Sequence, residues 1–176
     1  MKPSDLVEAT LPATSGKAVS RRARAKPTRL FATLLGNRAE ASFDTRTAIM
    51  IPLVGAMLAD GRVEEEELFE IDAICAFSPI FERNSSHENE LLIIHATRLI
   101  EDHGLQKMCE RAAALLSPAL RETAFVYAVK VIFSDGRYGA IEQAVVADLT
   151  EWLGIPADRA ATMIDIISVM RRPEGA

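Results

Sequence analysis

Apolar residues recur at spacings of three and four along most of the chain from Thr45 onward, and few stretches alternate strictly between apolar and polar residues. This spacing places one apolar stripe on each helix and is typical of helices rather than strands. The pattern therefore predicts an all-α fold of about seven helices in one bundle. In chain order, the predicted helices cover about 45–59, 64–77, 86–101, 105–116, 118–134, 139–153 and 156–170.

Polar caps and prolines mark several helix ends. Ser85 or Ser86 is the predicted N-cap of the third helix, because a serine hydroxyl accepts a hydrogen bond from the first free backbone N–H groups. Ser117 before Pro118 repeats this start signal with proline at the first helical position. Pro52 lies inside the first apolar pattern, so we expect the first helix either to begin near it or to kink there.

The composition fits one globular domain. The 176 residues are 49% hydrophobic and 26% charged, enough to bury one core without disulfides or metals. No apolar run reaches the roughly 18 residues of a membrane span, and the N-terminus lacks the apolar core of a secretory signal, so we expect a cytoplasmic location. Cys75 and Cys109 sit at helical spacing rather than in a CxxC cluster, which favours small buried hydrophobes.

Charge divides the chain into two parts. Residues 1–38 hold eight Lys or Arg against two acidic residues and are rich in Pro, Gly, Ser and Thr, whereas the rest is strongly acidic. We therefore predict a basic, disordered tail over 1–38 and an all-helical domain over 39–176.

The basic run at 21–26 can attract anionic lipid, RNA or an acidic partner by charge, or be a solvated tail. No specific nucleic acid is predicted, because no stacking aromatic lies in that run. A short apolar cluster in the tail is expected to dock as a helix: Leu30, Phe31, Leu34 and Leu35.

A short motif occurs twice in the helical part. The triplet Asp-Gly-Arg stands at 60–62 and again at 135–137, each time after one apolar helix and before another. A glutamate follows each aspartate by seven residues, at Glu67 and Glu142. The match predicts an internal, pseudo-symmetric repeat of a helix, a DGR turn and a second helix.

The repeated carboxylates point to a metal site. Asp60 and Asp135 are expected at the C-terminal ends of helices, where the partial negative charge of the helix disfavours an anion and favours a cation nearby. Glu67 and Glu142 lie about one turn into the next helix and can reach back toward the turn. Carboxylate oxygens suit Ca²⁺ or Mg²⁺. If the units pack antiparallel, all four carboxylates can share one divalent cation.

Helix capping is the alternative explanation for the two glutamates. Glu67 and Glu142 lie three residues after Glu64 and Gly139, the spacing of a capping-box glutamate that accepts from the N-cap backbone. Gly139 has no side chain with which to cap, so we expect capping to explain Glu142 less well than Glu67. Neither turn has the longer loop of an EF-hand.

The histidines give no support for an enzyme. His87, His95 and His103 have no Cys or Ser nucleophile motif nearby, and the chain has no Gly-rich phosphate loop. We expect a packed histidine at His95, a helix-end cation at His103 and no enzymatic activity. A hydrolytic centre built on two carboxylates is the alternative.

Two stretches resemble the tellurite-resistance TerB family. The segment 116–121, leading through 133–136 to Glu142 and 153–155, looks like part of that family, and 58–63 with Glu67 looks like its first motif. The resemblance covers about 45–170. It implies an all-helical fold with internal pseudo-symmetry and an acidic site for a divalent cation. Carried over residue by residue, that site comprises Asp60, Glu67, Asp135 and Glu142.

The resemblance also implies a role. TerB-like domains are linked to tellurite and other stress resistance, to complexes at the inner face of the membrane, and to interaction modules in larger proteins such as co-chaperones. This chain departs from the family at Glu64 and Gly139, where a small capping residue such as serine is common.

We therefore expect a non-enzymatic, TerB-like domain that binds a divalent cation of the Ca or Mg class and senses or scaffolds in a stress response. The alternative is a protein or membrane-surface interaction module without metal, in which the turns are only structural. Under either reading a protein partner, or peripheral contact of the basic tail with the inner membrane surface, is expected.

Overall fold

This computed structural model describes residues 42–59, 61–136 and 138–172. They form seven α-helices joined by turns and loops, and no strand. The helices are α1 (Thr45–Met57), α2 (Glu65–Phe77), α3 (Ser86–His103), α4 (Leu105–Leu115), α5 (Pro118–Ile132), α6 (Ala140–Trp152) and α7 (Ala157–Met170). The predicted all-α class is confirmed. The predicted tail over 1–38, with its Leu30 cluster, lies outside the described residues, so the division at residue 39 stays a prediction.

Two of the predicted cap residues lie at the starts of their helices, α3 and α5. Ser85, not Ser86, is the N-cap of α3, and its hydroxyl accepts a hydrogen bond from the Glu88 backbone N–H at 3.2 Å. Ser117 caps α5 in the same way, with Pro118 at the first helical position. Local side-chain chemistry therefore sets these starts, as the sequence predicts.

Helix α1 passes through Pro52 and does not begin at it, so the first of the two predicted alternatives is wrong. Asp44 is the N-cap, and its carboxylate accepts from the Thr47 backbone N–H at 2.9 Å. Every residue over 47–57 is buried. Packing on all sides therefore maintains the helix although Pro52 lacks the N–H of one helical hydrogen bond.

Three helices cover α1, and the other three pack mainly against those. Helices α3, α4 and α5 all pack against it, and α1 with α5 forms the most extensive helix pair. Helix α2 lies mainly against α5, α6 against α4 and α5, and α7 against α5. The largest fully buried side chains of this core include Phe81, Phe125, Ile49, Met50, Ile51 and Leu53.

Both cysteines are buried, and neither forms a disulfide, as predicted. Burial is the main reason that the pKa of the Cys75 thiol rises to about 11 and that of Cys109 to about 12. Both side chains therefore stay protonated at neutral pH and act as small apolar groups in the core.

The close approach of α1 and α4 depends on Gly55. A Cβ atom at this position would lie 2.3 Å from Leu105 Cδ1 and 3.2 Å from Leu105 Cγ, well inside normal contact. The missing side chain thus lets the first residue of α4 pack directly on the backbone of α1.

We predict that Gly55→Ala lowers the free energy of unfolding by about 1–3 kcal/mol, because the added methyl group displaces Leu105. In a Leu105→Ala background the same change should be neutral or stabilising by up to about 1 kcal/mol, since alanine is the better helix former. Urea denaturation of the four proteins measures both values. Equal losses in the two backgrounds would contradict the contact.

Candidate functional site

The two DGR turns have the same backbone hydrogen bonds at an offset of 75 residues. Helices α1 and α5 end at Met57 and Ile132, two residues before the predicted ends, and each end is tightened by bonds between residues three apart. In the first turn these bonds are Ala59 N–H to Ala56 O and Gly61 N–H to Leu58 O, both 3.2 Å. In the second they are Ser134 N–H to Val131 O at 3.0 Å and Gly136 N–H to Phe133 O at 3.2 Å. Asp135 thus lies in the turn itself. The pseudo-symmetry of the whole repeat stays a prediction.

Each turn reverses at its glycine. Gly61 has a φ of 81° and Gly136 a φ of 75°, in the left-handed region that side chains disfavour. The second turn is also closed by stacked rings, with the centroids of Phe133 and Tyr138 4.6 Å apart. Burial, and then the nearby Glu142 carboxylate, raise the pKa of the Tyr138 phenol. The negative charge of Glu142 therefore acts on the Tyr138 side chain at the second turn.

The two units meet at a narrow cleft with about 40 Å³ of space. Three of the predicted ligands line it, namely Glu67, Asp135 and Glu142, and Glu64 joins them. Asp60, the fourth predicted ligand, lies outside the described residues. The apolar part of the lining comprises Ala56, Ala59, Ile132, Ile141 and Val145. The structure thus brings acidic residues from both repeats to the lining of one cleft.

The helix ends around this cleft have opposite effects on a cation, and two of them favour the carboxylates. Helices α1 and α5 end here, and their last carbonyl groups carry partial negative charge that attracts a cation. Helices α2 and α6 begin here, and their partial positive ends stabilise the acidic residues of their first turns. The space exceeds the ~10–15 Å³ that a cavity needs to hold one water molecule, so it can admit a small ion.

Both glutamates of the repeat cap their own helices. Glu67 Oε2 accepts from the Glu64 backbone N–H at 3.0 Å, and Glu142 Oε2 accepts from the Gly139 backbone N–H at 2.8 Å. The prediction that Gly139 makes capping a poorer account of Glu142 is therefore wrong. This half of the capping box needs only the N–H of the N-cap residue, which glycine supplies.

The carboxylates do not form a finished metal site by themselves. Within 42–59, 61–136 and 138–172, no three acidic, His or Cys side chains are arranged to hold a metal ion. The donor types and the space nevertheless fit a hard cation, since all the ligands are carboxylates. Any coordination would require Glu67 and Glu142 to serve the helix backbone and the cation together, or Asp60 to contribute.

An ion-pair network beside the second turn was not predicted. Lys130 Nζ lies 2.8 Å from Glu70 Oε1, and the Arg171 guanidinium bonds to the other Glu70 oxygen and to the Ser134 carbonyl. The network joins α2, α5 and the end of α7, and the Glu70 side chain is only 14% exposed. No sequence signal could have found it, because Glu70 and Arg171 are 101 residues apart.

The histidines occupy the predicted settings. His103 is exposed in the last turn of α3, and His95 is half-buried in the same helix. Burial, and then the positive charge of Arg98, lower the pKa of His95 against a smaller opposite effect of Asp44. Among the described residues, no group pairs with the buried Nε2 atom of His95. Protonation there would bury a donor without an acceptor.

Comparisons with models of known protein families, with curated proteins and with solved structures found no match to this chain. The TerB resemblance therefore stays a prediction. In the part of the chain that the structure describes, no helix combines the length and the apolar character that a membrane span requires.

The capping role predicts different effects for two changes at Glu142. Glu142→Ala should lower the free energy of unfolding by about 1 kcal/mol, because the Gly139 N–H loses its acceptor. Glu142→Gln keeps an acceptor oxygen and should cost only a few tenths of a kcal/mol, roughly the value of one exposed charge at a helix start. Urea denaturation distinguishes them, and equal losses would refute the capping role.

The lowered pKa of His95 predicts a loss of stability on mild acidification. The unfolded chain takes up the histidine proton near the ordinary pKa of 6.5, before the folded chain does, so stability falls as the pH drops through that value. Unfolding midpoints in urea between about pH 7.5 and about pH 5 should show this decrease. His95→Gln should flatten it, whereas the control His103→Gln should leave it in place. An unchanged slope in His95→Gln would contradict the assignment.

Proposed function

We propose that this chain is a non-enzymatic, TerB-like helical module that binds a divalent cation of the Ca or Mg class in the cleft between its two DGR turns. Its role is sensing or scaffolding in tellurite or another stress resistance. One observation carries the cation proposal: Glu64 and Glu67 from the first unit and Asp135 and Glu142 from the second line the same cleft.

A cation there would act between the units rather than within one of them. The ligands of the first unit lie at the start of α2, and those of the second lie on both sides of the start of α6. Binding would therefore connect α1 and α2 to α5 and α6, and would offset the mutual repulsion of the carboxylates. This coupling is how an ion can change the stiffness of a scaffold without a chemical reaction.

The lining of the cleft supports a binding role over a catalytic one. Its described residues are acidic or aliphatic and include no Ser, Cys, His or Lys, so the carboxylates are the only groups there that could carry a proton or act as a nucleophile. A set of carboxylates without such partner side chains suits the binding of a hard cation.

The interaction module without metal remains the second candidate. The observation that favours it is the pair of capping bonds at Glu64 and Gly139, which give both repeat glutamates a structural role in the absence of any ion. Under this alternative, replacing the charge of Glu142 while keeping its hydrogen bond leaves partner binding intact and costs only the small loss of stability given above.

We predict that titration calorimetry of the wild type with Ca²⁺, Mg²⁺, Mn²⁺ and Zn²⁺ gives one saturable site tighter than about millimolar for a hard cation. Glu142→Gln, which keeps the capping acceptor, should weaken binding at least about tenfold, as should Asp135→Asn. Glu151→Gln, an exposed change elsewhere on α6, is the matched control and should bind like the wild type.

Two results would contradict the proposal. One is the absence of any saturable site below millimolar in the wild type. The other is binding that Glu142→Gln and Asp135→Asn leave unchanged, which would place the ion elsewhere. Unfolding midpoints of the same samples show whether a loss of binding is simply a loss of fold.

A further inference from the structure

Helix α2 exposes two phenylalanines on its outer side. Phe69 is 75% exposed and Phe77 is 87% exposed, whereas Ile71, Ile74 and Cys75 on the inner side are buried. Phe69 and Phe77 are eight residues apart, about 12 Å along the helix axis and about 80° around it. Both therefore lie on the solvent-facing half of α2, which we name the Phe face. Two aromatic side chains so open to water on one helix are unusual, and such surfaces commonly mark contacts.

The corresponding helix of the second unit exposes no such pair of rings. At the same offset of 75 residues, α6 has Ala144 where α2 has Phe69, and Trp152 where α2 has Phe77. Ala144 is exposed but small, and Trp152 packs against the core. The exposed aromatic surface is therefore particular to α2.

Acidic residues flank the Phe face. Glu65, Glu66 and Asp72 are exposed on α2, and the helix contains no Lys or Arg. Two copies of the chain placed face to face here would bring like charges together, which disfavours a dimer through this face. An apolar segment flanked by cations is the complementary occupant.

The N-terminal part of this chain contains such a segment. Residues 28–38 include Arg29 and Arg38 and no acidic residue. Their four large apolar residues are Leu30, Phe31, Leu34 and Leu35, which at helical spacing would form one stripe.

The described chain also begins at a suitable place. It starts at Ser42, and Arg46 in the first turn of α1 hydrogen-bonds Asn84, seven residues after the end of α2. The described chain thus begins on the side of the bundle that the loop after α2 reaches. Residues 39–41 link the segment to Ser42 and can span up to about 10 Å when extended, which keeps the segment near this side of the bundle.

We propose that residues 28–38 of the same chain dock on the Phe face of α2, with the apolar residues covering Phe69 and Phe77 and the arginines facing the flanking carboxylates. This occupant explains both the exposed rings and the opposite charges of the two parts of the chain.

Photo-crosslinking of the full-length chain tests the proposal. The photoreactive residue p-benzoylphenylalanine is placed at position 69 and, as a matched control, at position 144, which has the same register on α6. Mass spectrometry of mixed ¹⁴N and ¹⁵N protein should find cross-links from position 69 to 28–38 within one molecule, and few from position 144. Glu66→Lys with Asp72→Lys should lower the yield roughly fivefold at low salt, the effect of losing two exposed ion pairs.

Several outcomes would overturn the proposal. Cross-links between ¹⁴N and ¹⁵N copies would assign the Phe face to a second molecule. Cross-links confined to 1–27, equal yields at positions 69 and 144, no cross-link to the segment, or a yield unaffected by charge reversal would each show that 28–38 does not occupy this face. Circular dichroism of each variant confirms that the helices are intact.

Discussion

No side of helix α1 faces solvent over residues 47–57. Every residue from 47 to 57 is buried, so α3, α4 and α5 have to cover it, and the first residue of α4 does so directly over Gly55. The long pairing of α1 with α5 brings the ends of these two helices to one cleft, and the turns that follow them come together for that reason. The meeting of the two DGR units is thus a consequence of core packing.

The carboxylates of Glu67 and Glu142 in this cleft have a structural role without any ligand. Glu67 and Glu142 each satisfy a backbone N–H at a helix start, where the helix also favours their charge. The acidic cleft is therefore stable without an ion, yet it keeps several negative groups beside the C-terminal ends of α1 and α5. A cation that enters would use side chains already positioned by the helices, which reduces the ordering that binding requires.

Local signals in the sequence predicted most of the fold. Apolar spacing, Ser85, Ser117 and the two glycine turns placed all seven helices to within about two residues. Of the candidate ligands, Glu67, Asp135 and Glu142 do line one cleft, because the pairing of α1 with α5 brings together the turns that follow these two helices. The two wrong predictions have physical causes. Helix α1 continues through Pro52 because it is buried on all sides, and Glu142 caps α6 because it needs only the backbone N–H of Gly139, which does not depend on a side chain. The contact of Glu70 with Arg171 arises only from tertiary packing.

The most direct test of this account is an anomalous difference map from crystals of the full chain grown with Mn²⁺. The account predicts one strong peak in the cleft, with carboxylate oxygens of both units, among them Asp135 and Glu142, at roughly 2.0–2.6 Å, the range of hard cations. A map without a peak in the cleft, or with a peak bound by only one unit, would contradict it.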